Sequence, residues 1–111
     1  MNSATLPPLD PQTLKRRLDE GSVLLIDIRE PDEYARESIP GARLVPLSTL
    51  ERYDFGEELA SGKTLVFHCK GGNRTAMCAP HLIAKGCVGA YVLAGGIESW
   101  KRARLPIQSG C

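Results

Sequence analysis

The apolar positions of the chain fall into two spacings. Val23-Leu24-Leu25-Ile26 and Leu65-Val66-Phe67 are continuous apolar runs without alternation. Such runs are the pattern of strands buried on both faces, as in a parallel sheet. Ala90-Tyr91-Val92-Leu93 reads as a further strand, and Leu44-Val45, ended by Pro46, as a short one. Between them the spacing is helical. Asp10 caps a helix that has Pro11 in its first turn, carries Leu14 and Leu18, and stops at Gly21. Glu30-Pro31 opens a short helix through Tyr34 and Ala35, and residues 48–60 are helical in pieces. A longer helix starts at Asn73 or Arg74 and runs to Lys85, with Met77, Leu82 and Ile83 as core candidates and Gly86 as the stop. Gly95-Gly96 leads into a last helix bearing Trp100 as a core anchor, and Pro106 prevents its continuation. Strands alternating with helices predict an α/β fold: a mainly parallel sheet with helices on both faces. Residues 1–111 are expected to form one domain, with flexible segments at 1–9 and 107–111.

Charge narrows the function classes. Lys plus Arg is 14 and Asp plus Glu is 13, a formal net charge of +1. That balance speaks against a nucleic-acid binder driven by phosphate neutralisation, and no polybasic run suggests a membrane surface. No basic start followed by an apolar segment reads as a leader, so a cytoplasmic protein is expected. The four cysteines, Cys69, Cys78, Cys87 and Cys111, include no Cys-x-x-Cys, and no His-x-x-x-His accompanies them. The expectation is therefore free thiols and no metal site, with Cys111 exposed and mobile at the chain end.

One cysteine stands apart. Cys69 leaves a strand and enters Lys70-Gly71-Gly72-Asn73-Arg74-Thr75, a loop that opens a helix. Active sites of parallel sheets form outside the carboxyl ends of the strands, where Cys69 and Asp27 both fall. Gly71 and Gly72 permit positive φ, which turns successive backbone N–H groups inward as an anion-binding nest. The helix start, Arg74 and Lys70 add positive potential. All four effects favour thiolate over thiol, and the same cradle can hold a substrate oxyanion. The spacing points to a nucleophilic cysteine that attacks a small anionic substrate.

The loop Cys69-Lys70-Gly71-Gly72-Asn73-Arg74-Thr75 resembles the active-site loop of the rhodanese sulfurtransferases, and the resemblance covers nearly the whole chain. Asp27-Ile28-Arg29 resembles the family's Asp-x-Arg, and Glu33-Tyr34 its Glu-aromatic pair. Ile39-Pro40-Gly41-Ala42 is similar to its His-Ile-Pro-Gly-Ala turn, with Ser38 where His is usual. Gly95-Gly96-Ile97-Glu98-Ser99-Trp100 is similar to its Gly-Gly-x-x-x-Trp. The resemblance implies a rhodanese-like, five-stranded sheet. It also implies a sulfurtransferase that moves a sulfane sulfur from a donor such as thiosulfate or a persulfide to cyanide or a thiol. The intermediate would be a Cys69 persulfide, held by the amides of Lys70 through Thr75. No metal or organic cofactor is implied. A small sulfur-containing anion and a thiol or protein acceptor are the implied partners of a monomer.

Two other readings compete. Cysteine phosphatases, and arsenate chemistry on the same loop, use His-Cys, five residues, then Arg. His68-Cys69 is present here, but four residues precede Arg74, and the smaller ring suits one sulfur atom better than a phosphate. A non-catalytic sulfur-carrier or partner-binding module is the third reading, against which stands the retained cysteine. Asp27, Arg29 and Glu33 are expected to support the loop through hydrogen bonds and an ion pair. His68 should point away from Cys69 and pack inside, since strand side chains alternate. His81 should lie on a partly exposed helix face. Cys78 is expected in the core, with a resolving role as the less favoured alternative, and Cys87 suggests no role.

Overall fold

The computed structural model describes residues 5–109. In chain order the elements are β1 (Pro8–Leu9), α1 (Pro11–Glu20), β2 (Val23–Asp27), α2 (Pro31–Arg36), β3 (Glu37–Ser38) and β4 (Arg43–Leu44). There follow α3 (Leu47–Leu50), α4 (Gly56–Ala60), β5 (Thr64–His68), α5 (Asn73–Ala84), β6 (Tyr91–Leu93), α6 (Gly96–Arg102) and β7 (Gln108–Ser109). The boundaries follow local chemistry. The Asp10 carboxylate accepts from the Thr13 N–H at 3.1 Å and starts α1. Gly21, at φ +73°, ends it by donating back to the carbonyls of Arg17 and Leu18.

Five strands form one parallel sheet in the order β1-β6-β5-β2-β4. The longest pairing aligns Leu25 with Val66 and Asp27 with His68. This register brings the carboxyl ends of β2 and β5 side by side. The pleat sends alternate side chains to two cores. Ile26, Leu65 and Phe67 pack with Leu50, Phe55, Ala79 and Leu82 from α3, α5 and the loop before α4. Val23, Leu25 and Val66 pack with Leu14 of α1 and with Ile97 and Trp100 of α6. Helices thus cover both faces, as the unalternating apolar runs require. Each large side chain fully buried this way contributes about 1.5–3 kcal/mol of transfer free energy.

Three expectations need correction. Pro8–Leu9 is not a loose segment: it is an edge strand in register with Val92 and Leu93, and Leu6 and Leu9 are buried. Gln108–Ser109 is likewise not a free tail, because it pairs antiparallel with Glu37–Ser38. Trp100 supports that return by donating its Nε1–H to the Pro106 carbonyl at 2.7 Å. Met77 is not a core residue and is 81% exposed. The buried stripe of α5 is Thr75, Cys78, Ala79 and Leu82, a helical i, i+3, i+4, i+7 pattern that leaves position 77 outside it. His81 is exposed, and Cys111 lies outside the described residues. No helix among the described residues is long and apolar enough to cross a membrane.

Candidate active site

Cys69 follows the last residue of β5 and is 1% exposed. Parity along the strand puts it on the same face as Leu65 and Phe67, and His68 on the other. Gly72, at φ +103°, turns the chain into α5. Its N–H points back at the sulfur, with 3.1 Å between Gly72 N and Cys69 Sγ. The Thr75 hydroxyl donates to the Gly72 carbonyl at 3.0 Å and sits 3.9 Å from Sγ. The amides of Asn73, Arg74 and Thr75 open the helix, where helical geometry supplies no carbonyl partner. They are the donors an anion at this helix start would meet. Gly71 does not take positive φ. A Cβ there would stand 3.4 Å from the Glu98 carboxylate, an ordinary contact, so the turn itself rests on Gly72. Cys69, Lys70, Gly71, Asn73, Arg74 and Glu98 line a cavity of about 330 Å³.

The loop is held from behind by α6. Ile97 N donates to the Cys69 carbonyl at 2.9 Å and Glu98 N to the Lys70 carbonyl at 3.1 Å. So close an approach requires a glycine at 96. A Cβ on Gly96 would lie 2.5 Å from the Cys69 carbonyl oxygen and 2.4 Å from that of Lys70. Peptide units are trans, so pinning these carbonyls onto α6 turns the Lys70 and Gly71 N–H groups away from it.

The charges of the site are arranged differently from the simplest expectation. Arg74 is not an unpaired cation aimed at the sulfur. Its Nη1 and Nη2 donate to the two carboxylate oxygens of Glu33 at 2.8 and 2.9 Å. This fork holds the Glu33 carboxyl well below the ordinary range, at about 2, and raises the Arg74 guanidinium above its usual value. Glu33 also accepts the Glu30 N–H at 2.9 Å, so the loop is tied to the start of α2. Lys70 is mostly exposed, with its ammonium 4.0 Å from Glu98.

Asp27 and Arg29 form the expected pair. Arg29 Nη2 lies 2.8 Å from Asp27 Oδ2, both side chains are buried, and the same guanidinium donates to the Glu37 carbonyl. His68 is buried beside them, with Nδ1 3.2 Å from the Cys69 carbonyl and Nε2 3.6 Å from Asp27 Oδ2. Burial pushes this imidazole down, with Asp27 opposing. Asp27 and Arg29 therefore tie the end of β2 to β3, and His68 lies between the Asp27 carboxylate and the Cys69 carbonyl.

Cys78 and Cys87 are free thiols in the core, and burial pushes both up to about 11. Sequence reasoning gave Gly96 and Glu98 no part in the site. Gly95-Gly96 is the signal for the first. Nothing local marks the second, which reaches the cavity only through the packing of α6.

A buried cysteine at the carboxyl end of a central parallel strand, with the Gly72 amide on its sulfur and a helix starting beside it, defines an α/β protein with a strand-end thiol site. The chain belongs to the family described as Rhodanese-like domain, which matches residues 10–103. It is 34% identical over 100 residues to a "Sulfurtransferase" of Allochromatium vinosum, covering 89% of this chain and 92% of that one. It is 38% identical over 96 residues to an uncharacterized protein of Synechocystis, covering 86% of this chain but 52% of that one. The chain thus spans about half the length of the cyanobacterial relative. Among solved structures, a Rhodopseudomonas palustris protein described as a possible tyrosine phosphatase superposes with a TM-score of 0.80 at 26% identity, over 93% of this chain and 85% of that one.

Proposed function

We propose that this protein is a sulfurtransferase that moves a sulfane sulfur from thiosulfate or a low-molecular-weight persulfide to a thiophilic acceptor through a persulfide on Cys69. The observation that carries the reading is the Gly72 N–H directed at Cys69 Sγ, within a ring that closes on Arg74 after only four residues. A donor at this position stabilises negative charge on the sulfur. Amides further along the ring can serve a sulfur added beyond it.

In the first half-reaction the Cys69 thiolate attacks the outer sulfur of thiosulfate. A new S–S bond forms, the donor's S–S bond breaks, and sulfite leaves with its electron pair. The charge of the two reactants, −3, is shared between the persulfide anion and sulfite. In the second, cyanide or a thiolate attacks the outer sulfur and releases Cys69 as thiolate. Two half-reactions through one covalent intermediate give ping-pong kinetics. Amides of the Lys70–Thr75 ring serve the transferred sulfur, and Arg74 acts through Glu33 to hold that ring in shape. The reading includes a monomer working in a reducing cytoplasm without metal or cofactor, with a thiol or a protein as acceptor.

Phosphate or arsenate chemistry on the same loop is the rival, and the possible phosphatase among the neighbours keeps it in view. The four-residue spacing favours one sulfur over a tetrahedral oxyanion. Mass spectrometry after thiosulfate treatment decides. One added sulfur on Cys69, absent in Cys69→Ala, supports sulfur transfer. No added sulfur from thiosulfate or glutathione persulfide, with turnover of an aryl phosphate, replaces it by the rival.

A further inference from the structure

Beside the Cys69 cavity lies a second one of about 310 Å³, and the two share Lys70 and Glu98. Its lining carries both signs of charge, and most of those charges are already committed. Arg29 is paired with Asp27, Glu33 with Arg74, and Glu37 with Lys101 at 2.7 Å. Three are held loosely. Arg36 is 3.7 Å from Asp32 with both side chains about 70% exposed, and Lys70 and Glu98 stand 4.0 Å apart, 65% and 48% exposed. Loose, solvated pairs contribute little and exchange partners readily. The uncommitted chemistry of this cavity is therefore two cations and one carboxylate.

Glu98 is the unusual member. Its N–H is fixed to the Lys70 carbonyl, so its side chain rises from the rim of the loop. It lines both cavities, and its carboxylate reaches over the loop to Gly71. A carboxylate at the mouth of a site for dianions works against them. It attracts a donor that carries an ammonium group.

We propose that Glu98 is a specificity-determining residue that selects an amino-bearing, zwitterionic persulfide over a purely anionic sulfur donor. The donor's ammonium faces Glu98 and its carboxylate faces Lys70 and Arg36. This inference rests on the sulfur-transfer reading and names the donor class. In the step itself, the Cys69 thiolate attacks the outer sulfur of R–S–SH. The new Sγ–S bond forms, the donor's S–S bond breaks with its pair going to R–S⁻, and the proton stays on the transferred sulfur. Nothing is oxidised or reduced overall.

The test compares cysteine persulfide with the persulfide of 3-mercaptopropionate, which differs only in lacking the ammonium group, and with thiosulfate. In wild type, kcat/KM is expected to favour cysteine persulfide over its deaminated analogue by about tenfold, the order of a partly desolvated charge pair. In Glu98→Gln that ratio falls toward one, while kcat/KM for thiosulfate rises about two- to fivefold. Arg36→Ala should lower both organic persulfides alike and leave their ratio intact. A ratio unchanged in Glu98→Gln, or thiosulfate losing as much as cysteine persulfide, overturns the proposal. If no donor of the three loads Cys69, the sulfur-transfer reading itself fails. If all load and only the ratio ignores Glu98, the donor class alone is wrong.

Discussion

Arg74 and Glu33 stand 41 residues apart and meet in a two-pronged ion pair that fastens the reactive loop to the start of α2. Both side chains are less than one third exposed. The arginine thus works on the shape of the ring and is not an open counter-charge to the Cys69 sulfur. Glu33→Gln should keep the fold and lower kcat/KM for sulfur transfer about tenfold, and Arg74→Lys, which cannot fork, should do the same. Steady-state kinetics on the two variants checks this, and full activity in both would show that the ring stands alone.

The same pair predicts a window of acid sensitivity. The Glu33 carboxyl titrates near 2 in the folded chain and near 4.5 when unpaired. A depressed carboxyl stabilises the fold above its unfolded value and loses that contribution as pH falls toward its folded value. Wild type should exceed Glu33→Gln by about 1–2 kcal/mol at pH 7, and the gap should narrow between pH 4.5 and 2. Urea titrations at pH 7, 4 and 3 measure it. A gap that does not change with pH would mean that packing, not charge, sets the difference.

His68 acts in a higher window. Burial lowers its imidazole from 6.5 in the folded chain, against the opposing pull of Asp27. The unfolded chain therefore takes up this proton first, so stability is complete above about pH 6.5 and declines below it. His68→Gln, which does not titrate, should lose that slope between pH 7 and 5.5 in urea unfolding. Equal slopes in both proteins would place the proton elsewhere.

Gly96→Ala should be severe. The added Cβ meets two backbone oxygens at about 2.5 Å, and φ is +63°. Positive φ costs about 1–3 kcal/mol outside glycine, and moving the loop adds to it. A drop of about 2 kcal/mol or more and a loss of transfer activity are expected, read by urea unfolding and a sulfur-transfer assay. Wild-type stability in the Gly96→Ala variant would mean that α6 yields freely.

Cys78 and Cys87, both pushed up to about 11 by burial, should resist alkylation in the folded protein at pH 8 and react in urea. Peptide mapping after brief iodoacetamide treatment reads this directly. Rapid labelling of Cys78 in the folded chain would revive a resolving role for it.

Much of this was legible in the chain because long apolar runs and a strand-loop-helix junction are local patterns. Val23–Asp27, Thr64–His68 and the Cys69 loop declare themselves. The pairing of Asp27 with Arg29 is two residues long and equally readable. What escaped is short or distant. Two-residue strands such as Pro8–Leu9 and Gln108–Ser109 have no period to detect and exist only because an edge is available. Met77 looked apolar enough for the core, but the stripe through Thr75, Cys78, Ala79 and Leu82 had already filled it. Glu98 reaches the site from α6, and only the packed fold brings it there; Glu33 is expected near the loop, but its fork with Arg74, 41 residues on, has no local signal.

The way α6 grips the Cys69 and Lys70 carbonyls bears on how such a site persists through evolution. The group directed at the Cys69 sulfur is a main-chain amide, which every residue but proline supplies. Asn73 can therefore drift without dismantling the loop, while Gly96, which lies against the Cys69 and Lys70 carbonyls, cannot. What is inherited is a backbone shape, and its guardian lies one helix away from the chemistry.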